Sequence, residues 1–235
     1  MSESDLVQFL LDHNREQSKI FSSSDSVLWR KQYRAKHPTE IAALKCMDGR
    51  LHLPVMTNTP LGIIQPFRNI GGIFDLGWPF FGVVLKDWVD YAVSRGRDAL
   101  ILVTYHYSKG DKHRGCKGFD YDTGAAKAAA TQLKEQIESV FGKEHAVVYP
   151  VLIGIETDED ALILHGQNNK VMDLSAITNS DIDLLQNELH SLFPDMKTQV
   201  IQDLLPLVVR NIGYVQETRA TGRKPMDSDH REQIL

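Results

Sequence analysis

Nowhere in this sequence does an apolar run reach the ~18–20 residues that a bilayer-crossing helix needs, so no membrane span is expected. Cysteine is nearly absent: only Cys46 and Cys116 occur. That excludes a disulfide scaffold, and in a reducing cytosol a structural bridge is a poor use of such a pair. Packing or metal binding is left, for the neighbouring residues to decide between. Positive charge is in deficit, with 26 Lys and Arg against 31 Asp and Glu and a formal net charge of −5. With no basic stripe interleaved with aromatics either, no nucleic-acid partner is expected. The N-terminal MSESDLVQFLLDHNREQ has no positive leader and no long apolar core, so a cytoplasmic protein is expected. There is no internal repeat and no low-complexity tract.

What is present suffices for one well-buried α/β domain or two small ones: 235 residues, of which 42% are apolar. Residues 1–38 read as a helical arm. Leu6, Phe9, Leu10 and Ile20 make a partial helical stripe behind a candidate cap at Ser4. The SSSDS run at 22–26 breaks that stripe and restarts it into VLWRKQYRAKH. Two such helices carry too little apolar surface to make a core together, so the arm is expected to lie on another surface, a partner subunit included.

Residues 39–219 read as the main domain. IAALKC (41–46), LGIIQPF (61–67, with Pro66 near its exit), DALILVTYHY (98–107), AVVYPVLIGIE (146–156) and ALILHG (161–166) read as strands. PFFGVVLKDWVDYAVSRG (79–96), with a stripe through Phe80, Val84, Trp88 and Val89, reads as a helix stopped by Gly96. Ala-rich AAKAAATQLKEQIESVFG (125–142) is a second helix, ending at Gly142. From Asn179 to about Thr218 the chain reads as helical with a kink at Pro206. This alternation predicts an α/β fold: a mostly parallel, doubly wound sheet with one antiparallel edge strand, ALILHG, returning through the acidic turn TDED, and flanking helices. Residues 220–235 read as a polar tail.

Chemistry-bearing residues gather at two strand ends. Cys46-Met47-Asp48-Gly49-Arg50 follows one buried strand, and His106 through Cys116 follows another. Sites in open α/β sheets collect at the carboxyl ends of strands. Zinc accepts thiolate sulfur and imidazole nitrogen, and its catalytic sites use three protein ligands with a fourth position left for water. Two cysteines and a histidine meet that count, with His106 and His113 both available in the second segment.

Cys46-Met-Asp48-Gly-Arg50, then Arg68-Asn69-Ile70-Gly71-Gly72, then strand-terminal His106 followed by Cys116, resemble in order the motifs of β-class carbonic anhydrases. The resemblance covers roughly residues 40–175 and runs on through VLIGIETDEDALILHG. It implies Zn²⁺ on Cys46, His106 and Cys116, catalytic Asp48 and Arg50, and reversible hydration of carbon dioxide to bicarbonate and a proton by zinc-bound hydroxide. Asp48 would accept the hydroxide's hydrogen bond, and Arg50 would hold Asp48 ionised and oriented. In part of the family that aspartate instead becomes a fourth zinc ligand and closes the site. The resemblance further implies a homodimer or a dimer of dimers. Arg68 and Asn69 read as ties to neighbouring carbonyls, and the paired glycines as a close backbone approach.

Most members place the histidine three positions before the second cysteine, a spacing that His113-Arg-Gly-Cys116 reproduces. His106 is nonetheless the expected ligand. It ends a buried strand that can hold an imidazole rigidly, whereas His113 lies between Lys112 and Arg114 in a polar run. Extra residues in the intervening loop cost little. The long spacer is similar to that of the carboxysome shell carbonic anhydrases. Those enzymes also carry an N-terminal domain and a second, degenerate copy, neither of which is read here, so a cytoplasmic placement is expected ahead of a carboxysomal one. Two rival functions share the same residues: hydrolysis of carbonyl sulfide or carbon disulfide, and a non-catalytic zinc-binding subunit of an inorganic-carbon uptake system. A thiol-redox role lacks its Cys-x-x-Cys motif.

Overall fold

The computed structural model describes residues 3–141, 147–178 and 181–221. Gly142, expected to stop a helix, and the expected polar tail from residue 222 onward lie outside the described residues. Six strands form one sheet: β1 (Glu40–Cys46), β2 (Ile64–Asn69), β3 (Ala99–Tyr107), β4 (Val148–Glu156), β5 (Ala161–His165) and β6 (Val171–Asp173). Their order is β2-β1-β3-β4-β5-β6; the first four are parallel, and β5 and β6 are antiparallel to their neighbours. The expected mostly parallel sheet is thus present, and ALILHG does turn back antiparallel on β4. β6 is three residues long, too short to show a period of two, and it takes the outer edge from β5.

β1 and β3 are buried almost end to end, which is why each reads as a mostly apolar run. Pro66 sits inside β2, opposite Ala43, and not at its exit. As an edge strand, β2 tolerates a residue with no N–H to give to a ladder. The chain leaves β1 for β2 on one side and then crosses back to β3 on the other. The carboxyl ends of β1 and β3 therefore flank a switch point, where a crevice opens in sheets of this kind.

Helices α1 (Glu3–Ser22) and α2 (Ser24–Lys36) form the N-terminal segment. Ser23 separates them and caps the second, its side chain accepting the Ser26 N–H at 3.3 Å. Ser4 lies within the first turn of α1 and not before it. Leu6, Phe9, Leu10, Ile20, Leu28 and Trp29 all remain exposed in the single chain. After the short α3 (Leu53–Met56), α4 (Pro79–Ser94) packs through Leu85, Val89 and Ala92. Of the expected stripe, Val89 is buried and Trp88 packs partly buried against the core, but Phe80 is 85% exposed and Val84 is exposed as well. Phe81 turns inward instead, against Phe67 and Phe74.

α5 (Thr123–Phe141) buries Ala126, Ala130, Leu133 and Ile137, and small alanines let it lie close on β3 and β4. The C-terminal helical region divides into α6 (Ile182–Leu192) and α7 (Thr198–Ala220). The break falls around Pro194, with α6 capped at Phe193, while Pro206 lies inside α7. α7 carries two buried polar side chains that tie it to the sheet. Asn211 accepts the Leu162 N–H at 2.9 Å and donates to the carbonyls of Met56 and Asp160, and Asp203 accepts the Thr39 N–H at 2.8 Å. Among the described residues no helix is long and apolar enough to cross a membrane.

Candidate metal centre

Cys46 is the last residue of β1 and His106 the last but one of β3. Cys116 sits at the start of a 3₁₀ turn, Lys117–Phe119, with its carbonyl accepting the Phe119 and Tyr121 N–H groups. The three side chains are buried, and their ligand atoms all lie within 4.8 Å of one another. Contact with the Cys116 thiol, together with burial, pushes the Cys46 thiol well above the usual cysteine range, and the neighbouring imidazole only partly offsets this. Two thiols this close cannot both ionise unless a cation shares them. Soft sulfur and imidazole donors in a buried cluster of three fit a metal such as zinc, with a coordination position left over.

A glycine-lined contact sets the spacing of the two cysteine segments. The loop after β2, a 3₁₀ turn over Ile70–Gly72, has φ of +65° at both Gly71 and Gly72. A Cβ on Gly72 would stand 3.1 Å from the Cys46 backbone nitrogen, and one on Gly118 would stand 2.6 Å from the Gly71 Cα. The loop thus wedges between the segment carrying Cys46 and the one carrying Cys116. Arg68 fastens it by donating to the carbonyls of Met47 and Asp48, both at 3.2 Å, and Asn69 by donating to the Ile73 carbonyl at 2.7 Å.

Asp48 is buried beside the cluster. Arg50 grips it: Nη2 donates to Oδ2 at 2.6 Å, Nε lies 3.1 Å from Oδ1, and the Arg50 backbone N–H donates to Oδ1 at 2.9 Å. Burial opposes the Asp48 charge, but these bonds and the guanidinium outweigh it and hold the carboxyl below the usual carboxylate range. The Arg50 Nη2 also donates to the Arg114 carbonyl at 2.8 Å.

His113 stands apart from the cluster. It is 67% exposed, and its Nδ1 lies 3.2 Å from Asp111 Oδ1. Among the described residues, Cys46, His106 and Cys116 make the one such group of three donors. Sequence reasoning passed over Lys45, a buried lysine between the apolar Leu44 and Cys46, whose ammonium donates to the Leu51 carbonyl. Burial, with Arg68 nearby, lowers its pKa to about 8. Its signal was available: a lone cation inside a run that otherwise reads as a fully buried strand. The Arg114 carbonyl and the Thr157 hydroxyl, which lies 3.4 Å from it, left no signal, since a carbonyl is common to every residue.

Two thiols, an imidazole and an Asp–Arg pair at the switch point of this sheet define a β-carbonic-anhydrase-like catalytic domain with a Cys-His-Cys metal-binding triad. Residues 35–219 match the family described as carboxysome shell carbonic anhydrase, catalytic domain, and the chain belongs to that family. Among solved structures, the β-carbonic anhydrase CcaA shares the fold, with a TM-score of 0.51 at 11% identity over 72% of this chain and 92% of that one. A tetrameric β-carbonic anhydrase of Sordaria macrospora is similar at 13% identity over 73% of this chain and 98% of that one, with a TM-score of 0.40. The β-carbonic anhydrase CafA of Aspergillus fumigatus is similar at 15% identity over 80% and 98% respectively, with a TM-score of 0.41. No curated protein matches the chain significantly.

Proposed function

We propose that this chain is a zinc-dependent carbonic anhydrase that interconverts carbon dioxide and bicarbonate. The observation that carries the reading is the gathering of the Cys46, His106 and Cys116 donor atoms within 4.8 Å, with the Asp48–Arg50 pair beside them. A zinc ion held there supplies Lewis acidity enough to bring the pKa of a water to ~7. The chain's own residues do the rest. Cys46, His106 and Cys116 hold the ion, their burial excluding competing ligands from three of its positions. Asp48, kept ionised, presents an acceptor that orients the attacking oxygen's proton away from carbon dioxide. Arg50 fixes the direction of that acceptor, since a guanidinium bound to both carboxylate oxygens resists rotation.

Metal analysis with a carbon dioxide hydration assay tests this directly. About one zinc per chain with rapid hydration is the expected result. Stoichiometric zinc without hydration would replace it with a structural-zinc role, and turnover of carbonyl sulfide in preference to carbon dioxide with a related hydrolase.

The same reading makes the protein a cytoplasmic homodimer or dimer of dimers. Reduced thiols suit a reducing compartment. The exposed apolar side chains of α1 and α2, with Phe80 and Val84 of α4, give a second copy surface to cover. Light scattering that returns a monomer at micromolar concentration would count against it. The family takes its name from the carboxysome shell, and co-fractionation with shell particles distinguishes a shell protein from a cytoplasmic one.

A further inference from the structure

We infer that Asp158, on the turn after β4, is a positioning residue for the Asp48–Arg50 pair and acts through the spacer between His106 and Cys116. Only the kinetic part of its test rests on the carbon dioxide reading above.

The spacer, residues 108–115, contains no regular element beyond a 3₁₀ turn over Lys112–Arg114. Such a loop keeps one shape only where its polar groups are tied down. Several of its ties meet on one carboxylate. The Ser108 hydroxyl donates to Asp158 Oδ1 at 2.8 Å, the Gly110 N–H donates to Oδ2 at 2.7 Å, and Arg114 Nη1 lies 3.7 Å from Oδ1. Ser108 also accepts the Asp111 N–H at 2.9 Å, so the anchored residue closes the loop's own turn. A Cβ on Gly110 would stand 3.2 Å from Asp158 Oδ2, which shows the carboxylate seated against the loop backbone.

Neighbouring residues lock the anchor itself. Glu156, buried at the end of β4, accepts the N–H groups of Lys109, Asp158 and Glu159 at 3.1–3.2 Å. Thr157 donates its N–H to the Tyr107 carbonyl at 2.8 Å. The turn is therefore fixed to β3 and β4, which pair from Ala99 and Val148 to Tyr107 and Glu156. Burial raises the Glu156 pKa; at Asp158 burial acts the same way but is outweighed by the Gly110 and Ser108 hydrogen bonds, which keep it ionised.

What the anchored loop delivers is the Arg114 carbonyl. One nitrogen, Arg50 Nη2, donates both to that carbonyl at 2.8 Å and to Asp48 Oδ2 at 2.6 Å. Asp48 holds the guanidinium from one side and the spacer holds it from the other. Asp48 lies two residues from Arg50 on the same turn, so the Arg114 carbonyl adds a hold from outside that turn.

The test compares Asp158→Ala and Asp158→Asn with Glu159→Gln, which removes a half-buried acid paired to Arg219. In the metal-free full chain, the NMR resonance of the Arg50 Nε–H is assigned by its loss in Arg50→Lys. Its hydrogen exchange should quicken in Asp158→Ala, less so in Asp158→Asn, which keeps one acceptor oxygen, and stay unchanged in Glu159→Gln. In the zinc-loaded chain, Asp158→Ala should keep its metal and lose about 10- to 100-fold in kcat with KM held within about twofold. Asp158→Asn should recover part of that loss. Wild-type exchange at Arg50 in Asp158→Ala overturns the inference, whether or not the chain hydrates carbon dioxide. A wild-type protein without hydration activity would sink the functional reading alone and leave the exchange result to decide. Should Asp158→Ala fail to fold, Ser108→Ala removes one tie only, and unchanged Arg50 exchange there overturns the inference equally.

Discussion

Gly118 and Gly71 meet backbone to backbone, so closely that a methyl group on Gly118 would fall 2.6 Å from the Gly71 Cα and 2.8 Å from its nitrogen. Neither neighbour is a flexible side-chain end that could swing aside. One of the two segments must move, and the Gly118 segment begins at Cys116.

Gly118→Ala should therefore destabilise the protein by about 1–3 kcal/mol, the usual cost of forcing volume into a packed contact. Its effect on zinc affinity should exceed that of an alanine at Gly213, where a Cβ would meet nothing within 4 Å. Thermal unfolding and competitive chelation of both variants measure the two effects. Equal zinc affinity in both would show that the glycine contact does not set the cysteine spacing.

Cys46→Ser and Cys116→Ser should each remove the metal, because a hydroxyl is a far poorer soft donor than a thiolate. His106→Ala should do the same, while His113→Ala should keep both metal and activity. Metal content by elemental analysis decides the matter. Retention in His106→Ala with loss in His113→Ala would transfer the ligand role to the exposed loop.

Asp48→Asn and Arg50→Ala should keep zinc yet lose most hydration, about 100-fold or more if the oriented acceptor contributes as such groups usually do. The amide retains the shape of the carboxylate without its charge, so it separates orientation by charge from simple packing. Hydration rates near wild type in both variants would leave the metal without a catalytic partner in this pair.

His165 on β5 gives a prediction in pH. Its Nε2 lies 2.9 Å from the Tyr105 hydroxyl, and burial with Lys127 nearby lowers its pKa to about 4. The unfolded chain takes up this proton near pH 6.5, the folded chain only near 4. The neutral ring thus favours the fold fully above about pH 6.5, and the contribution is lost as pH falls toward 4. His165 is partly exposed, so solvent screening reduces the contribution to about 1–2 kcal/mol. Denaturant unfolding at pH 7 and pH 4.5, wild type against His165→Gln, should show the smaller pH dependence in the variant. Parallel pH curves would remove His165 from the account.

The strands bearing the site were legible because burial on both faces makes them mostly apolar; IAALKC and ALILVTY advertise themselves, Lys45 notwithstanding. Phe80 misled for the opposite reason. On α4 a large apolar residue stands outside the core, and periodicity alone cannot tell a face that meets this chain's sheet from one left exposed. The break near Pro194 went unread, although the residue before a proline disfavours continuing a helix, while Pro206 does lie inside a helix, α7. The donor residues could be read from two strand ends, but the grip on Arg50 could not. It is made by a carbonyl, which no residue type announces.

The order of synthesis gives the spacer's anchorage a temporal side. Asp158 follows Cys116 by 42 positions (158 − 116). At about 5–20 residues per second, the donor residues leave the ribosome roughly 2–8 s before the turn that ties the spacer down. For that interval the nascent chain holds all three donors, but the loop between the last two still lacks the carboxylate on which several of its hydrogen bonds meet. The centre thus acquires its donors first and the anchor of its spacer only later, from a segment distant in sequence.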